Sequence, residues 1–84
     1  MTYTLAQLPP GESGRVAALD FPPRKARRMG DLGFLPGQQV TALHTPPFGG
    51  ITAYQVLDTV IALRDTDASR ITLYTLQDEK DDVL

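Results

Sequence analysis

Apolar positions recur along this chain in short runs cut by proline, glycine and aspartate, a rhythm that predicts strands rather than long helices. Thr4 to Leu8 carries Leu5 and Leu8 just before Pro9-Pro10-Gly11-Glu12, and reads as a lead-in that packs two leucines beneath the core. Gly14 to Leu19 predicts a first strand with Val16 inward. Gln39 to Thr45 predicts a second, although apolar residues on both of its sides leave the inward face open. Ile51 to Leu57 and Val60 to Arg64 read as a hairpin around Asp58-Thr59. Asp65 to Ala68 fits one helical turn capped by Asp65 or Thr66. Ile71 to Leu76 then gives the last strand. Five short strands and one short helix predict a mostly β molecule, a small and partly open barrel.

The helix is expected to start near Pro22 or Pro23, where proline is tolerated, and to end near Leu32. Ala26, Met29 and Leu32 are spaced to share one face. Gly33 follows where a helix can end in a left-handed residue, and Pro36-Gly37 suits the centre of a type II turn. Phe34 and Leu35 lie between these two punctuations, so at least one of them is expected to plug the core. Gly30 inside the helix costs about 1 kcal/mol relative to alanine, so tertiary packing has to hold this element. Pro46-Pro47-Phe48-Gly49-Gly50 predicts an exposed loop: a rigid arm, one aromatic ring and a permissive pair.

Eighty-four residues allow one domain. Residues 1–76 are expected to form it, with 77–84 as an acidic, flexible tail that Val83 and Leu84 could anchor. No cysteine is present, which excludes a disulfide framework, thiolate catalysis and Cys-based metal sites. No stretch approaches the roughly 20 apolar residues that cross a bilayer, and the start lacks the features of a signal peptide. The chain therefore reads as complete and soluble.

The net charge of −2 hides an asymmetry. Arg24, Lys25, Arg27 and Arg28 concentrate positive charge on the helix, whereas Asp78, Glu79, Asp81 and Asp82 load the tail. Basic residues around an aromatic anchor suit a protein surface. Small barrels that bind single strands add several stacking aromatics to a basic groove, and this chain has three phenylalanines and three tyrosines in all. Arg24, Lys25, Arg27, Arg28 and Phe48 are accordingly expected to bind a protein partner, with a nucleic-acid-binding barrel as the alternative.

Catalysis finds little support. His44 is the only histidine, with no cysteine or second histidine spaced to share a metal. Ser13 and Ser69 lack a nucleophile-elbow sequence, Asp65 and Asp67 lack the ordered ligands of a calcium loop, and no phosphate-binding glycine loop with lysine occurs. No catalytic residue, metal site, cofactor or direct nucleotide binding is expected.

Three segments in order, RRMGDLGFLPG (27–37), PPFGGITAYQV (46–56) and VIALRDTDASRITL (60–73), resemble the FeoA family, small cytoplasmic proteins of bacterial ferrous iron uptake. The resemblance runs from Leu5 to about Leu76. It implies an SH3-like barrel and an accessory or regulatory role toward FeoB, a membrane transporter with a cytoplasmic GTP-binding domain, and so a cytoplasmic place, peripheral to the inner membrane through that partner. The same barrel occurs at the C-terminus of iron-dependent repressors, so a repressor-associated role is the alternative; the absence of a helix-turn-helix portion favours the stand-alone form. Arg28, Met29, Leu32, Gly33, Phe34, Pro36 and Gly37 match the family's helix exit, and Pro47, Phe48, Gly49 and Gly50 its central loop. Ile61 to Arg64, with Ala68 and Ile71, match its later strands. Met29 replaces the usual leucine, and Asp58-Thr59 departs from the common glycine turn. An incompletely covered edge strand would also leave self-association by edge pairing open.

Overall fold

The computed structural model describes residues 3–74. The proposed tail at 77–84, and the end of the last strand at Thr75 and Leu76, lie outside them. Alternation of apolar and polar residues along each segment forms a six-stranded antiparallel sheet. Its strands are β1 (Tyr3–Thr4), β2 (Ser13–Leu19), β3 (Gln39–His44), β4 (Ile51–Val56), β5 (Thr59–Arg64) and β6 (Ile71–Leu73), in the order β1-β6-β2-β3-β4-β5. Helix α1 (Pro23–Asp31) lies between β2 and β3, and α2 (Asp65–Ala68) between β5 and β6.

β2 bends the sheet. Ser13 to Arg15 pair with β3, whereas Val16 to Leu19 pair with β6, and a bulge between Val16 and Ala18 turns the strand from one half of the sheet to the other. The inner faces meet around Tyr54, Phe34, Leu5, Ile71, Val16, Val40 and Val56, all essentially inaccessible to solvent. Leu5 and Leu8 both reach this core from the lead-in. β3 turns Val40 and Ala42 inward, and a second bulge before His44 leaves the histidine exposed.

The sheet does not close into the expected barrel. Its order is linear, with β1 and β5 as edges that do not pair with each other. β1 is only two residues long and runs straight into a 3-10 turn (Leu5–Gln7), while β5 runs into α2. These two short helical pieces pack on each other, so side chains rather than ladder hydrogen bonds fill the space between the edges. Tyr54 fixes this junction by donating its hydroxyl to the Leu5 carbonyl at 3.4 Å. The strand beyond the five expected is β1, too short to show a period.

Two local readings also change. The hairpin turn is Leu57-Asp58 rather than Asp58-Thr59, with Val56 paired to Thr59. Leu57 takes a φ of +56°, the only positive φ of a non-glycine residue among the described residues. Leu32 does not share the buried face of α1; Met29 is buried, Ala26 is half-buried and Leu32 is exposed.

Candidate partner-binding surface

α1 ends in a Schellman motif. The amide of Phe34 donates to the Met29 carbonyl and that of Gly33 to the Gly30 carbonyl, each at 3.0 Å, with Gly33 at a φ of +112°. Met29 and Phe34, the residues that this motif brings together, are both buried. Phe34 is the core plug, whereas Leu35 is 54% exposed and folds over Gly30, where a Cβ would come within 3.0 Å of its Cδ2. Gln38 then donates to the Leu35 carbonyl across Pro36-Gly37, with Gly37 at a φ of +90°, as a type II turn requires. Arg15 holds that turn on β2 by donating from Nη1 to the Gly37 carbonyl at 3.2 Å.

The helix so anchored exposes Arg24, Lys25, Arg27 and Arg28. Lys25 differs from the other three. Its ammonium lies 2.8 Å from Asp67 Oδ1 on α2 and 5.4 Å from the centre of the Phe21 ring. Among the described residues no carboxylate pairs with Arg24, Arg27 or Arg28.

The central loop folds as a tight turn, with the Gly49 amide donating to the Pro46 carbonyl at 2.9 Å. Pro47 and Phe48 are its middle residues, and proline presets the first of these positions. Phe48 stands out from it at 82% exposure, the highest of any large apolar side chain among the described residues. Gly49 and Gly50 follow at φ +74° and +84°, with open space where a Cβ would stand.

α2 joins the two parts. The Asp65 amide donates to the Gly50 carbonyl at 2.9 Å, bracing the end of the Phe48 loop, and Asp67 takes the Lys25 ion pair from α1. The Asp65 carboxylate also accepts from Thr52 at 3.4 Å, and Thr52 shares a 2.8 Å hydrogen bond with Thr45 at the loop's other end. Neither Asp65 nor Thr66 caps α2 as expected. The cap position is Arg64, without a side-chain hydrogen bond, and both aspartates act as braces instead.

Groups that could do chemistry are dispersed. The Ser13 hydroxyl bonds Thr41 at 2.7 Å and that of Ser69 donates to the Thr66 carbonyl at 2.8 Å, so neither bonds His44. No group of three histidine or acidic side chains among the described residues could hold a metal. Burial, with a smaller push from Asp65, raises the Tyr54 phenol above its ordinary 10.0 against an opposing effect of the neighbouring Thr52 hydroxyl. No described helix is long and apolar enough to cross a membrane.

The fold is shared with solved structures. The FeoA protein of Chlorobium tepidum is 26% identical over 88% of this chain and 70% of its own, with a TM-score of 0.81. FeoA of Stenotrophomonas maltophilia, described from its zinc complex as a prokaryotic SH3 domain protein and a suggested ferrous iron transport activating factor, is 33% identical. There the match covers 86% of this chain and 89% of that one, with a TM-score of 0.74. A manganese-dependent transcriptional repressor, 20% identical with a TM-score of 0.76 over 89% of this chain, shares the fold alone, and the match spans 42% of it. No curated protein matches the chain significantly. The FeoA domain model matches residues 3–74, from the Tyr3–Thr4 edge to the end of β6, and the chain therefore belongs to the FeoA family of bacterial ferrous iron transport.

Proposed function

We propose that this noncatalytic FeoA-family accessory protein of ferrous iron uptake acts by docking on the cytoplasmic side of an FeoB-like, GTP-binding transporter. Phe48 is the anchor, and Arg24, Arg27 and Arg28 steer it onto an acidic surface of the partner, with Lys25 contributing through its fixed place against α2. The observation that carries this reading is the pose of Phe48: a fully presented ring on a turn already held by Pro47, a hydrogen bond and the Asp65 brace. A ring fixed before binding loses little conformational freedom when it is buried. The protein brings no nucleotide chemistry of its own to the complex, so any effect on GTP turnover runs through the transporter.

The test pairs two measurements on one variant. Phe48→Ala is expected to weaken binding to the purified, detergent-solubilised transporter by about 2 kcal/mol or more, as loss of an interface anchor does. Its thermal unfolding should move by less than the equivalent of about 0.5 kcal/mol, because an exposed side chain contributes little to folding. Unchanged affinity in a normally folded variant removes Phe48 as the anchor. Charge reversal at Arg27 and Arg28 should slow association and flatten its salt dependence while leaving dissociation nearly unaltered.

A further inference from the structure

We propose that the exposed edge of β5 pairs antiparallel with β5 of a second copy of this chain, in a register centred on Ile61. The free edge follows from the hairpin. Val56 and Thr59 flank a two-residue turn and so exchange hydrogen bonds, and the same alternation continues to the Asp65 amide, which donates to Gly50. Thr59, Ile61 and Leu63 therefore spend their backbone groups on β4. Val60, Ala62 and Arg64 point theirs the other way, where no strand among the described residues bonds them.

Protein edges are usually blunted by proline, lysine, a bulge or an inward charge. β5 has none of these: Thr-Val-Ile-Ala-Leu lies between Asp58 and Arg64 without proline or charge, and its pairing with β4 is regular from end to end. Val60 is 60% exposed. A bulge-free, apolar edge of this kind is a template for another strand.

The charges choose the occupant and the register. About a two-fold axis at Ile61, Val60 of one copy exchanges both hydrogen bonds with Ala62 of the other, and Ile61 faces Ile61 on the inner side. The same register brings the turn residue Asp58, one position before β5, beside Arg64 at both ends. Neither side chain has an ion-pair partner among the described residues. Shifting the register by two residues would put Val60 opposite Arg64 and leave Asp58 unpaired. The second copy therefore satisfies hydrogen bonding, apolar contact and charge together.

Sedimentation velocity on the full chain over a concentration series should show a reversible monomer–dimer equilibrium. A monomer at every concentration up to about 1 mM would overturn the proposal. Arg64→Asp and Asp58→Arg should each weaken the dimer roughly tenfold or more, because two cross-strand ion pairs become two like-charge pairs. Mixed in equal amounts, the two variants should dimerise again, since every end then meets an opposite charge. Dimerisation that ignores both substitutions, or fails to recover in the mixture of folded variants, would refute the β5 register. Circular-dichroism melting of each variant establishes that it is folded.

Discussion

Gly33 bears two constraints at once. Its φ of +112° lies beyond the left-handed well that non-glycine residues visit, and a Cβ there would come within 3.0 Å of Val56 Cγ2 and 3.1 Å of Leu57 Cδ1. Gly49 has the first constraint, in milder form at +74°, and lacks the second. Gly33→Val is therefore expected to cost both backbone strain and overpacking, roughly 3 kcal/mol or more, against about 1–2 kcal/mol for Gly49→Val. Chemical denaturation of the two soluble variants measures the difference, and equal losses would mean that the helix exit relaxes around the new side chain. The special backbone at Gly33 was legible from its place after a helical stripe. The positive φ of Leu57 was not, because an apolar residue at the end of an apolar run reads as one more strand position.

At the scale of elements, α1 and α2 are tied by one ion pair, whose ammonium also lies over the Phe21 ring just before α1. Lys25→Met keeps most of the apolar stem while removing the charge that bonds Asp67 and lies over Phe21. The pair is partly exposed, so the expected loss of stability is about 0.2–1 kcal/mol, shrinking as salt is added. Arg27→Met, which breaks no ion pair among the described residues, should leave the denaturation midpoint unchanged at either ionic strength. The ends of α1 could be read from Pro23 and Gly33, but its stripe misled at Leu32, which caps the helix and turns outward as the Schellman motif swings the chain toward Phe34. The hairpin shows a similar limit. Turns at Leu57-Asp58 and at Asp58-Thr59 keep the same residues facing the core, so alternation could not choose between them; the structure pairs Val56 with Thr59 and puts the turn one residue earlier than its polarity suggested. Likewise, nothing in the local sequence indicates that Asp67 meets Lys25, because the two residues are brought together by the fold.

For the whole molecule, alternation told which side chains face inward but not whether the sheet's ends meet. Closure depends on the length of β1 and on how α2 packs against the Leu5–Gln7 turn, contacts between distant segments that periodicity does not encode. Phe48, in contrast, was readable as a presented ring because prolines and glycines bracket it. Since apolar packing builds the core and no metal-holding group occurs among the described residues, a chelator should leave the circular-dichroism spectrum and melting midpoint in place; a reversible collapse would reveal a metal requirement. Tyr54 gives a sharper test of the open junction, because its hydroxyl reaches the Leu5 carbonyl across the space that ladder bonds leave. Its folded-state pKa is raised above 10.0, mainly by burial, so folding favours the neutral phenol. That contribution is fully present below pH 10 and is lost as the pH rises through the folded-state value, because the unfolded chain releases the proton first. Unfolding free energy should therefore fall on the alkaline side, as the pH rises from 10.0 through the folded-state value. Tyr54→Phe separates the contributions: it should begin less stable at neutral pH by about 0.5–1.5 kcal/mol, the worth of a neutral hydrogen bond, and then lose less than the parent as pH rises. Parallel alkaline slopes for the two proteins would mean that Tyr54 ionises without opening the junction.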